Sequence, residues 1–91
     1  MGERRVRVLV SGRVQGVFYR ASLREQASRR NVAGTVRNLP DGRVQAELQG
    51  EPADVDAVLA WCGQGPPGAH VSDVEVTELE PVPDARGFRV R

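Results

Sequence analysis

A chain of 91 residues is the length of one domain, and with 40% hydrophobic residues it can build a core. A formal net charge of +1, with acidic and basic residues interleaved, lacks the basic patch or stripe of a dedicated nucleic-acid binder. The apolar runs are far too short to span a bilayer, no charged-then-apolar leader precedes Val6, and a single cysteine excludes an internal disulfide. A reducing cytoplasm is the compartment expected. Cys62 lies at helical spacing from Val55, Val58 and Leu59 and reads as a small core residue. His70 is alone, cannot build a metal cluster, and reads as a surface or strand-edge residue. Lysine is absent and all thirteen basic side chains of that class are arginine, so an arginine at any one position says little by itself.

The alternation Arg5-Val6-Arg7-Val8-Leu9-Val10 predicts a first strand over Arg4 to Ser11. Gly12 to Phe18 follow as a loop. The Gly- and Pro-free segment from Tyr19 to Ala27 then predicts a helix over Phe18 to Arg30, with Asn31 as its stop. Only Tyr19, Leu23 and Ala27 form its inner face. A second strand (Ala33 to Leu39) and a third (Arg43 to Gln49, with Val44, Ala46 and Leu48 inward) flank Leu39-Pro40-Asp41-Gly42, a strong hairpin signal. The second helix opens at Glu51-Pro52, buries a stripe of Val55, Val58, Leu59 and Cys62, and ends in the Gly- and Pro-rich stretch from Gly63 to Gly68. Val71, Val74, Val76 and Leu79 mark a fourth strand with an irregularity near Ser72-Asp73. Phe88 and Val90 alternate in a short last strand after the Pro81–Gly87 loop.

This order is the split βαβ, ferredoxin-like arrangement of the α+β class (βαββαβ). It predicts an antiparallel sheet of four to five strands with two helices on one face, in one domain over residues 1–91. The first two strands are joined through a crossover helix, so they run parallel with the third between them, and their C-terminal ends share one edge of the sheet. That brings Asn38 towards the loop after the first strand. Val36 and Asn38 share a face; with Val36 in the core, Asn38 looks toward the start of the first helix, beside Arg20.

A two-glycine loop between a strand and a helix start can turn several N–H groups inward, where the helix terminus adds partial positive charge. The place suits a phosphate. The chemistry around it is sparse. Asn38 donates and accepts hydrogen bonds but cannot remove a proton at neutral pH, and Arg20 can bind a phosphoryl group but cannot act as a base. Such a pair suits a substrate whose leaving group is already good, as the carboxylate of an acyl phosphate is. Asn38 would hold the attacking water, whose proton could pass to a phosphoryl oxygen. No metal and no cofactor is called for. Taken singly, each feature has a plainer reading: a tight connection for the loop, a solvated side chain for Arg20, a turn residue for Asn38. Trp61 reads as a partly buried helix residue and Arg37 as a solvated strand residue.

Two segments carry a family resemblance, Ser11-Gly12-Arg13-Val14-Gln15-Gly16-Val17-Phe18-Tyr19-Arg20 and Gly34-Thr35-Val36-Arg37-Asn38-Leu39-Pro40-Asp41-Gly42-Arg43-Val44, the second continuing to Gly50. Trp61 to Val71 and Gly87-Phe88 match more weakly. Over essentially its whole length the chain resembles the acylphosphatases, small enzymes that hydrolyse the carboxyl–phosphate bond of acyl phosphates. The resemblance implies a ferredoxin-like fold and phosphate binding by the loop Gly12, Arg13, Val14, Gln15, Gly16, Val17 and Phe18. It also implies a second phosphate contact from Arg20 and a water positioned by Asn38. The implied partner is a small acyl phosphate; charge and hydropathy call for neither nucleic acid nor membrane, and a monomer is the simplest expectation. Tyr19 stands where the family usually has phenylalanine, and Thr35 where it usually has an aromatic residue.

Two other classes remain open to the sequence. The same domain could hold an anion without turnover, as accessory acylphosphatase-like domains of larger maturation proteins suggest, although both Arg20 and Asn38 are intact. An RNA-binding domain on this strand order would stack bases on aromatics of its central strands, and the first and third strands display none.

Overall fold

Val6, Val8 and Val10 are fully buried while Arg5, Arg7 and Leu9 between them point the other way, the two-residue alternation of a strand covered on one side. The computed structural model describes residues 2–91. Its elements are β1 (Arg4–Arg13), α1 (Tyr19–Arg29), β2 (Ala33–Asn38), β3 (Val44–Gly50), α2 (Pro52–Gln64), β4 (His70–Leu79) and β5 (Phe88–Val90). The five strands form one sheet in the order β4-β1-β3-β2-β5.

β3 lies between β1 and β2 and is antiparallel to both, as the crossover rule requires, and β4 adds antiparallel to β1. The sheet is nevertheless mixed, because β5 pairs parallel with β2. The reason is geometric. β4 already runs against β1, so a chain that reverses after β4 and crosses to the far edge runs with β1 and therefore with β2. Gly34 N–H donates to the Gly87 carbonyl at 3.0 Å and Arg91 N–H to the Val36 carbonyl at 2.8 Å, stitching this edge.

β1 continues two residues past its expected end. The register shifts between Ser11, opposite Asp73, and Gly12, opposite Val71, so Ser72 is the extra residue of a bulge in β4 at the anticipated irregularity. Gly12 has φ 122°, and a β-carbon there would overlap the His70 carbonyl oxygen. Only glycine lets β1 stay paired through Arg13.

Both helices cover one face. Tyr19, Leu23 and Ala27 from α1 and Val55, Val58 and Cys62 from α2 close over Val36, Val44, Ala46, Leu48 and the valines of β1. At about 25 cal/mol per Å² of apolar surface removed from water, this layer is the main source of stability. α1 ends at Arg29 and Asn31 follows at φ 56°, the left-handed stop read from the sequence. The opposite face is polar: Arg5 pairs with Glu47 at 2.7 Å. There Gln49 pins the crossing loop, its amide donating to the Val82 carbonyl at 2.8 Å and its oxygen accepting from Val82 N–H at 3.0 Å. Among the described residues no helix is long and apolar enough to cross a membrane.

Candidate functional site

Between the end of β1 and the start of α1 the chain must turn through five residues, Val14 to Phe18, and it does so with two left-handed positions. Gly16 has φ 74° and Phe18 φ 62°. Open space surrounds the place where a β-carbon of Gly16 would sit, so that glycine serves conformation rather than clearance. The loop is fastened from inside. Val14 is buried in the core and Val17 packs against it. The Gln15 side-chain amide donates to the carbonyls of Leu39 and Arg43, both at 2.9 Å, clamping the loop to the β2–β3 turn.

What the loop leaves free is as informative. Among the described residues, no main-chain or side-chain acceptor receives a hydrogen bond from the amides of Gln15, Gly16, Val17 or Phe18. Phe18 is the N-cap of α1 without a capping side chain, and no acidic residue sits in the first turn. The positive end of the helix is therefore neither capped nor neutralised.

The first turn of α1 is held in place by Tyr19, whose hydroxyl donates to the Cys62 carbonyl at 2.7 Å and whose ring lies 5.2 Å from that of Trp61. Burial pushes the Tyr19 phenol above its ordinary range, with the neighbouring Cys62 adding to the effect. Burial likewise raises the Cys62 thiol to about 11, opposed by the hydrogen bond with Tyr19. Both groups belong to the core and stay protonated, so neither is available as nucleophile or base.

Arg20 leaves the helix on the next position, and one of its terminal nitrogens donates to the Arg91 main-chain oxygen at 2.8 Å. Asn38 is the last residue of β2, opposite Val44. Its Oδ1 is buried with no hydrogen-bond partner. A cavity of about 280 Å³ opens among Val14, Gly16, Phe18, Arg20, Asn38 and Val90. The sequence placed Arg20 and Asn38 together from topology alone, and they line one cavity. Of the other expected loop residues, Gly12 and Arg13 belong to β1, and Gln15 and Val17 face the scaffold rather than the cavity. A larger hollow of about 510 Å³ runs along β5 between Arg24, Arg86 and Arg89, but no residue of the loop reaches it. No Asp, Glu, His or Cys lines the smaller cavity, and among the described residues no three such side chains are grouped as a metal ion needs.

An anion-ready loop, an arginine and an unpartnered amide, on this strand order, have counterparts elsewhere. A family model described as Acylphosphatase matches residues 6–90. The chain belongs to the acylphosphatase family. It is 59% identical over 88 residues to an acylphosphatase of Rubrobacter xylanophilus, a match covering 97% of this chain and 80% of that protein. An acylphosphatase of Anaeromyxobacter dehalogenans is 52% identical over 87 residues, covering 96% and 94% respectively. The solved structure of an acylphosphatase from Coxiella burnetii superimposes with a TM-score of 0.92 at 41% identity, covering 99% of this chain and 94% of that one. Membership makes the chain an enzyme with the ferredoxin-like architecture of the acylphosphatases, and its sequence and fold both support hydrolysis of acyl phosphates.

The sequence did not single out Val90 and Arg91 as neighbours of the site. Phe88 and Val90 signalled a strand, but three residues carry no mark of which strand they pair with. Nor did it separate the two jobs of Gln15, whose amide faces the loop while its side chain serves the hairpin.

Proposed function

We propose that the cavity holds the phosphoryl group of an acyl phosphate, with the free amides of the Val14–Phe18 loop and the Arg20 guanidinium as donors and Asn38 as the holder of the attacking water. The observation that supports this reading best is the company of Asn38: an amide oxygen without a protein partner, in the same cavity as an arginine and an uncapped helix start.

A buried acceptor with no partner costs free energy unless a ligand satisfies it, and a water in reach of the phosphorus would do so. That water's oxygen attacks phosphorus, and the bond from phosphorus to the acyl oxygen breaks. The electron pair leaves on the carboxylate, and the water's proton passes to a phosphoryl oxygen. The protein supplies fixed donors that neutralise charge on the transferring group and a geometry that aligns the attack. Gly12 and Arg13 serve by carrying β1 to the loop, and Gln15 and Val17 by holding the loop's shape. No protein base, metal or cofactor enters this scheme. We further assign the chain to a reducing cytoplasm, on its single buried cysteine, and to action as a monomeric single domain.

The test is hydrolysis of benzoyl phosphate and acetyl phosphate in the presence of a metal chelator, with inorganic phosphate as competitive inhibitor, for the unaltered chain and Asn38→Ala. Turnover by the first, and phosphate binding without turnover by the second, are expected. Loss of phosphate affinity in Asn38→Ala equal to its loss of rate would remove the water-holding role.

A further inference from the structure

Among the described residues Phe18 is the most exposed large apolar side chain, 83% open to solvent, against 44% for Val76 and 43% for Val82. It sits at φ 62°, a conformation that glycine adopts freely and a bulky residue adopts only at a cost. The fold therefore tolerates two unfavourable features at one position, a strained main chain and a bare phenyl ring. Neither is needed for packing. Tyr19 turns inward at the next position and fixes the helix start, so the ring of Phe18 is thrown outward and contributes nothing to the core.

Phe18 is one of the residues that line the candidate active-site cavity, and that lining mixes two kinds of residue. Arg20 and Asn38 bring polar side chains and Gly16 a bare main chain, whereas Phe18, Ala21 and Val90 bring apolar side chains. An acyl phosphate likewise joins two kinds of group, with a dianionic phosphoryl group at one end and an acyl substituent at the other. Resting on the phosphate assignment above, we propose that Phe18, with Ala21 and Val90, forms the seat of the acyl substituent and selects acyl phosphates with an aromatic or extended apolar acyl group. A phenyl face offers offset stacking to a ring and apolar contact to an alkyl chain, and gives a one-carbon acyl substituent little to touch. The same placement explains why a costly side chain stands where glycine would relieve the backbone: bound substrate covers it during turnover.

The experiment compares kcat/KM for benzoyl phosphate and acetyl phosphate within each of three proteins, the unaltered chain, Phe18→Ser and Phe18→Trp. Taking the ratio inside one protein cancels any change in the loop's grip on the shared phosphoryl group. The benzoyl-to-acetyl ratio should fall about 5- to 10-fold in Phe18→Ser, the scale of a lost aromatic contact, and return to the original value or above it in Phe18→Trp. The change should appear mainly in KM for benzoyl phosphate. A ratio in Phe18→Ser within twofold of the unaltered chain overturns the acyl seat. Acetyl phosphate hydrolysis and its inhibition by phosphate report on the phosphate site alone. Their absence in the unaltered chain would strike the underlying assignment, whereas an unchanged ratio strikes only this one.

Discussion

The Tyr19 hydroxyl donates to the Cys62 carbonyl at 2.7 Å, tying the first turn of α1 to the last turn of α2 in the interior. The tyrosine is one residue from Phe18 and one from Arg20, at the end of the Val14–Phe18 loop. Tyr19→Phe removes the donor and keeps the ring. It should lower stability by about 1–2 kcal/mol, the scale of a buried hydrogen bond, read as a lower urea midpoint at an unchanged m value.

Asn38→Ala should separate activity from stability. If Asn38 holds the attacking water as proposed, its removal should reduce kcat on the order of 10²–10³, the loss seen when one positioned polar group leaves a site of this kind. The unpartnered buried Oδ1 disappears at the same time. Thermal unfolding should therefore show no loss of stability and a gain of up to about 1 kcal/mol.

Arg20→Ala should weaken phosphate inhibition and turnover together. Arg20→Lys should recover little of either, because an ammonium cannot donate to the Arg91 oxygen and a phosphoryl group from one planar fork. Phosphate inhibition constants for the three proteins check this.

Gln15 reaches two carbonyls of the neighbouring hairpin, those of Leu39 and Arg43. Gln15→Ala should cost about 1–2 kcal/mol of stability and raise KM for every acyl phosphate alike, since on the proposed function the loop it holds serves the common phosphoryl group. An effect confined to one substrate would contradict a scaffolding role.

Alkaline pH should loosen the core. The Cys62 thiol is raised from 9.0 to about 11 by burial, so above pH 9 the unfolded chain releases a proton that the folded chain keeps. The slope of stability against pH is then negative, about 1.4 kcal/mol per unit for one thiol, from pH 9 until the folded thiol itself ionises. Below pH 9 this group contributes no pH dependence. Denaturant midpoints between pH 8 and 10 measure it, below the range where the buried Tyr19 phenol adds a slope of the same sign, and thiol reagents at pH 8 should label Cys62 only after unfolding.

The fold was readable because its signals are local and agree with one another. Alternation gave β1 and β3, Pro40-Asp41-Gly42 gave the hairpin, and the stripe Val55, Val58, Cys62 gave α2. The crossover rule then set Arg20 beside Asn38 with no contact information at all. Three matters escaped. The direction of β5 depends on which edge of the sheet is vacant after β4 has been placed, a global property that Phe88-Arg89-Val90 does not encode. The extension of β1 to Arg13 depends on a bulge in another strand. The division of labour within the loop, Gln15 toward the hairpin and Phe18 toward solvent, depends on left-handed torsions at Gly16 and Phe18, and side-chain periodicity is lost where such torsions occur.

Gly12 and Ser72 are two halves of one fastening, although they lie on different strands and sixty residues apart in the chain. A methyl group at the first collides with the backbone just before the second, and without the extra residue at 72 the first would have nothing to lean on. The segment from His70 to Asp73 thus fixes the point at which β1 hands the chain over to the Val14–Phe18 loop. An insertion or deletion there should shift the departure point of Val14 and, with it, the loop amides that follow.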